Sequence, residues 1–127
     1  MIGSLLYLMA TRPDILFLVG LCARFQSSPR VSHRNAVKRI FSYLTYTSDL
    51  GLFYSASSSL QLYGYSDADF GGCRLDRKLT SGTCQFLDLP LFPDPPANNQ
   101  LADILTKPLE QKTFEWLRVE LGVVYPF

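Results

Sequence analysis

Between Leu44 and Gly51 the spacing of apolar residues changes, and the change narrows the fold to one class. Before it, apolar residues recur every three or four positions; after it, they alternate. Ile2, Leu5, Leu6 and Met9 form the stripe of a core-facing helix. Thr11-Arg12-Pro13-Asp14 interrupts this helix and starts a second, in which Pro13 suits the first turn and Asp14 complements the positive end. Ile15, Leu18, Val19 and Cys22 repeat the spacing, with Leu16, Phe17 and Leu21 on the flanks. A helix apolar on nearly every side is expected to be buried against several neighbours. Ser27-Ser28-Pro29 ends it, and a third helix is expected from Ser32, with Val37, Ile40, Phe41 and Leu44 as its apolar stripe.

Beyond the change, Gly51 to Tyr54 reads as a short strand and Ser55 to Ser59 as a polar loop. Leu60 to Tyr65 is then the second arm of a hairpin, and Thr80 to Leu87 a third strand with Gly82 as a candidate bulge. Three neighbouring strands flanked by helices give an α+β class: an N-terminal cluster of three helices, a small three-stranded antiparallel sheet and C-terminal helices. Asp88 to Asn99 carries Pro90, Pro93, Pro95 and Pro96 and no periodicity, so it reads as a linker. A short helix over Gln100–Leu105 is expected next, capped by Asn98 or Asn99 and interrupted by Pro108. Phe114, Leu117 and Leu121 stripe a last helix that Gly122 closes, with Trp116 off the stripe and partly exposed. The expected segments are 1–50, 51–87, 88–99 and 100–127.

Composition sets limits on function. Apolar residues make up 47% of the 127, enough for a core, and the net charge of +1 gives no global basic field. Nucleic-acid binding therefore needs a local patch, and the chain has one: Arg34 and Lys38 on one flank of the third helix, with Arg30 just before it and Arg39 round the back. These side chains suit either a solvated helix face or a surface that tracks phosphates. Cys22, Cys73 and Cys84 are odd in number and lack CxxC spacing, which argues against a disulfide framework or zinc knuckle. Ile15 to Ala23 is too short to span a bilayer, and no signal peptide is evident, so a cytoplasmic or nuclear protein without membrane partners is expected. His33, the single histidine, has no Cys or Asp at ligand spacing, which favours packing or capping in the first turn of the third helix.

Leu62 to Gly72 alternates as a half-buried strand does and then breaks on paired glycines. Asp67 and Asp69 stand at i and i+2 near its end, so both belong to one face. Carboxylates at such a place either bond to nearby turn amides or begin a metal site.

Several long strings carry a resemblance that bears on this choice. Gly3-Ser4-Leu5-Leu6-Tyr7-Leu8-Met9-Ala10-Thr11-Arg12-Pro13-Asp14-Ile15 resembles the segment after the polymerase palm in copia-type LTR retrotransposon Pol polyproteins. The likeness continues through Arg24-Phe25, Ser28-Pro29, His33 and Ala36-Val37-Lys38-Arg39. It extends through Gly64-Tyr65-Ser66-Asp67-Ala68-Asp69, Asp76-Arg77-Lys78 and Thr80-Ser81-Gly82. Gln100-Leu101-Ala102-Asp103-Ile104-Leu105-Thr106-Lys107-Pro108-Leu109 is similar to the end of the same polyprotein.

The resemblance implies the thumb or connection region of a reverse transcriptase running into a ribonuclease H domain. Such a domain cleaves the RNA strand of RNA–DNA hybrids with two Mg²⁺ ions held by four acids. It assigns the first acid to Asp67 and the last to Asp103, with Phe70 where the family usually has Trp. Between Leu87 and Asn98 the family's central strands, a helix with the second acid, and the third acid do not occur; the proline-rich junction stands there instead. Two-metal hydrolysis needs ions about 3.5–4 Å apart, each with oxygen ligands, so Asp67 and Asp103 alone would hold one ion weakly at most. The expectation is a Pol remnant with neither nuclease nor polymerase activity, no retained cofactor and marginal stability in isolation. Its alternatives are a residual module binding hybrid or duplex nucleic acid through the basic helix, and an interaction protein recruiting a partner at an open strand edge.

Overall fold

The computed structural model describes residues 1–54, 56, 62–69, 80–87 and 100–126, apart from the side chains of Asp69, Thr80, Cys84, Phe86 and Leu87. The expected loop at Ser55–Ser59, the strand start at Leu60, the 88–99 junction and the Asn98 or Asn99 cap lie wholly or largely outside those residues.

The N-terminal cluster is helical, as its period requires. Helix α1 spans Ile2–Leu8, a 3₁₀ turn spans Pro13–Ile15, α2 spans Leu16–Ala23 and α3 spans Val31–Tyr46. Leu5, Ile15, Val19, Cys22, Val37 and Ile40 form one buried core, flanked by Ile2, Leu8, Met9, Ala36, Tyr43 and Leu44. Pro13 stands in the first turn of the 3₁₀ segment, where its missing N–H is no loss. Helix α2 is less enclosed than its composition suggests. It packs on α1 and α3 and touches the C-terminal half, yet Leu18 is 48% exposed, because these neighbours do not surround it.

Helix α3 starts earlier than the expected Ser32 cap: Arg30 is the flanking residue. The backbone N–H of Arg30 donates to His33 Nδ1 at 3.1 Å, so a histidine at the third helical position satisfies a donor that the helix leaves orphaned. The His33 ring stacks on Phe25 with centroids 4.4 Å apart.

A buried polar knot joins the 3₁₀ turn to the end of α3. Arg12 Nε and Nη2 donate to the two carboxylate oxygens of Asp14 at 3.0 and 2.8 Å. Arg12 Nη1 donates to the Thr47 carbonyl and Nη2 to Thr47 Oγ1, both at 2.9 Å. Tyr43 Oη donates to Asp14 Oδ2 at 2.7 Å. Arg12 thus places its charge on a carbonyl at the negative end of α3. Burial, and after it Asp14, pushes the Tyr43 phenol above its ordinary pKa, which keeps it a donor.

Among the described residues the expected three-stranded sheet is replaced by two separate two-stranded sheets. Strand β1, Gly51–Leu52, pairs antiparallel with the C-terminal β4, Val123–Val124, rather than with its sequence neighbour. Leu50 and Val123, at 5% and 0% exposure, belong to the same core and bring these ends together. Gly122, at φ 76°, ends the last helix in the left-handed conformation, and its carbonyl accepts from Phe53 N–H at 2.9 Å.

The second sheet pairs β2, Leu62–Asp69, with β3, Thr80–Leu87, in unbroken register from Leu62↔Leu87 to Asp69↔Thr80. Gly82 is therefore not a bulge; it sits directly opposite Asp67. Helix α4, Asp103–Thr106, covers one face of this hairpin, and α5, Gln111–Glu120, follows Pro108. Leu50, Leu101, Ala102, Ile104, Leu105, Leu117, Leu121 and Val123 make the second core, with Tyr65, Phe114 and half-buried Trp116 against it. Among the described residues no helix is long and apolar enough to cross a membrane.

Candidate functional site

Alternation in β2 turns Tyr63, Tyr65 and Asp67 inward, while Leu62, Gly64, Ser66 and Ala68 are exposed. The inner face meets α4 at close range, and Gly82 makes the approach possible. A Cβ on Gly82 would lie 2.6 Å from Leu105 Cβ and 3.1 Å from Thr106 Cγ2. With no side chain there, Thr106 reaches across and donates its hydroxyl to Asp67 Oδ2 at 2.6 Å.

Asp103 opens α4, and Lys107 follows its last residue, four positions on. Lys107 Nζ lies 2.7 Å from Asp103 Oδ1 and 3.3 Å from Asp67 Oδ2. Asp67 and Asp103, assigned separately from the sequence, are therefore brought together, and a lysine ammonium joins them. The side chains of Asp67 and Asp103 are only 14% and 19% exposed. The Thr106 hydrogen bond outweighs burial and, helped by Lys107, holds the Asp67 carboxyl below its ordinary pKa. The Asp103 hydrogen bond, also against burial, lifts Lys107 above its own.

This donor set does not fit a divalent ion. An ammonium offers three donors and no lone pair, and Thr106 spends its proton on the oxygen that also faces Lys107. Among the described residues no group of three or more His, Cys, Asp or Glu is placed to hold a metal. Asp69 pairs with Thr80 two residues along β2, and its side chain is not described.

The other residues singled out from sequence lie elsewhere. Arg30, Arg34, Lys38 and Arg39 are all exposed, on or beside α3, while the acid pair lies between β2 and α4. His33, Pro13 and Gly122 sit at helix ends, as described above. Sequence reasoning missed Thr106 and Lys107. The i, i+4 spacing of Asp103 and Lys107 was the available signal, since such pairs meet on a helix surface.

Comparison with known proteins bears on where this arrangement comes from. No protein-family model and no solved structure matches the chain. An uncharacterized mitochondrial protein of Arabidopsis thaliana is 38% identical over 84 residues, which is 66% of this chain and 76% of that protein. The secreted RxLR effector protein 161 of Plasmopara viticola is 42% identical over 82 residues, 64% of this chain and 58% of its own length. The retrovirus-related Pol polyprotein from transposon RE1 of Arabidopsis thaliana is 41% identical over 86 residues, 68% of this chain but only 6% of the polyprotein. By these likenesses the chain belongs to the copia-type retrotransposon Pol family.

Proposed function

We propose that the protein is a catalytically silent remnant of the reverse transcriptase–ribonuclease H portion of Pol. The observation that carries this reading is the shortage of acids: among the described residues no group of three or more His, Cys, Asp or Glu is placed to hold a metal. Asp67 and Asp103 lie close together, but Lys107 Nζ contacts both, and Thr106 donates to Asp67. Hybrid hydrolysis by two metals needs ions beside both the attacking and the leaving oxygen. An ammonium in contact with both carboxylates neutralises charge but supplies neither a Lewis acid nor a bound hydroxide. The purified protein is expected to release no product from an RNA–DNA hybrid above the buffer background, with Mg²⁺ or Mn²⁺ at millimolar concentration. Divalent-dependent cleavage that disappears in Asp67→Asn would overturn this reading.

A second reading, residual binding of hybrid or duplex nucleic acid, is favoured by one observation: Arg30, Arg34, Lys38 and Arg39 are all exposed. Successive i, i+4 residues on a helix are about 6 Å apart along its axis, a spacing that can follow a phosphate backbone. Binding of a labelled hybrid should then weaken steeply with salt, and Arg34→Ala with Lys38→Ala should lower the log–log salt slope by about 2. Binding that ignores both salt and these substitutions excludes the basic face as its source.

A further inference from the structure

We propose that Lys107 is the resident cation of the Asp67–Asp103 pair: its ammonium stands where the two carboxylates would hold a divalent ion and keeps that position shut to metal. The inference rests on the pair's descent from a metal-binding site, as proposed above.

Three features hold the lysine in place. Pro108 ends α4 and biases the preceding residue toward extended backbone, and Lys107 adopts φ −122° and ψ 146°. From there its side chain meets Asp103 one turn back and reaches Asp67 on the neighbouring strand, contacts that span two elements. The side chain is 37% exposed, so more than half of its surface is covered by neighbours.

Exclusion of metal follows from charge and chemistry together. A divalent ion touching both carboxylates would have to share their oxygens with a cation already within 2.7 and 3.3 Å of them. Like charges at that range repel. Magnesium also requires near-octahedral oxygen ligands, and a nitrogen with only protons to offer cannot be one. To admit metal, Lys107 must leave, which strips the partner from two partly buried acids.

The test uses the full chain and Mn²⁺ as probe, read by the electron spin resonance signal of free Mn²⁺ and by line broadening of backbone amides at residues 67 and 103. The natural protein is expected to show neither binding nor selective broadening at millimolar Mn²⁺. Lys107→Gln should bind one ion with a Kd on the order of 1 mM, at least about tenfold tighter than the natural protein. Adding Asp103→Asn to Lys107→Gln should abolish that binding. Should Lys107→Gln release the hairpin, millimolar Mg²⁺ is expected to restore amide protection in β2 and β3, the metal replacing the ammonium. The inference is overturned if the natural protein binds Mn²⁺ as tightly as Lys107→Gln, or if Lys107→Gln neither binds an ion nor is refolded by one. Either result leaves the silent-remnant reading intact, because that reading stands or falls on hybrid cleavage alone.

Discussion

Asp14→Ala is expected to destabilise the protein by about 3–5 kcal/mol, a large part of the stability a domain of this size can have. Asp14 and Arg12 are 3% and 6% exposed, so the substitution leaves a buried guanidinium without its counter-charge. Two donors of Arg12 lose both carboxylate oxygens at once, and Tyr43 Oη loses the acceptor it holds at 2.7 Å. The remaining bonds from Arg12 to Thr47 cannot neutralise the charge. Urea unfolding should show a lower midpoint with an unchanged slope. Replacing both partners, Arg12→Met with Asp14→Leu, should cost markedly less than the single change, because no unpaired charge is then buried. A double variant as unstable as Asp14→Ala would mean that the contacts to Thr47, not the ion pair, hold the 3₁₀ turn to α3.

Gly82→Val is expected to cost about 3 kcal/mol and to separate the hairpin from α4. Even the first added atom would stand 2.6 Å from Leu105 Cβ, and Leu105 is fully buried in the C-terminal core. Neither side can yield cheaply: Gly82 is paired within the β2–β3 ladder, and Leu105 is packed. Displacing α4 would also draw Thr106 and Lys107 away from Asp67. The check is hydrogen exchange, in which amides of β2 and β3 should lose protection before those of α3. Uniform loss of protection through both cores would show that the hairpin and the helical cluster unfold as one unit.

Some of this architecture can be read directly from residue types and spacing. The helical period of Leu5, Ile15, Val19, Val37 and Ile40 depends on neighbours within a few turns, and all five are buried together. Alternation from Leu62 and from Thr80 likewise marks both arms of the hairpin, and Gly122 with Pro108 marks where helices stop. The strand partnership failed because proximity in sequence is only a tendency. Gly51–Leu52 finds Val123–Val124 across most of the chain, drawn by Leu50 and Val123 into one core. Gly82 was misread for a related reason. A glycine in a strand signals either a bulge or close approach, and only the position of Leu105 distinguishes them.

Local rules therefore determine where helices and strands form, since period, prolines and glycines act within a few residues of themselves. They also mark Asp67 and Asp103 as residues of interest, each inside a specific string. What joins those two acids is decided in three dimensions. Gly82 admits α4 to the hairpin, Pro108 turns Lys107 back toward the strand, and one ammonium meets two carboxylates 36 positions apart in the chain (67 and 103). Spacing along a chain carries no information about such a meeting, because its stabilisation depends on distance, burial and charge at a point where separate elements converge.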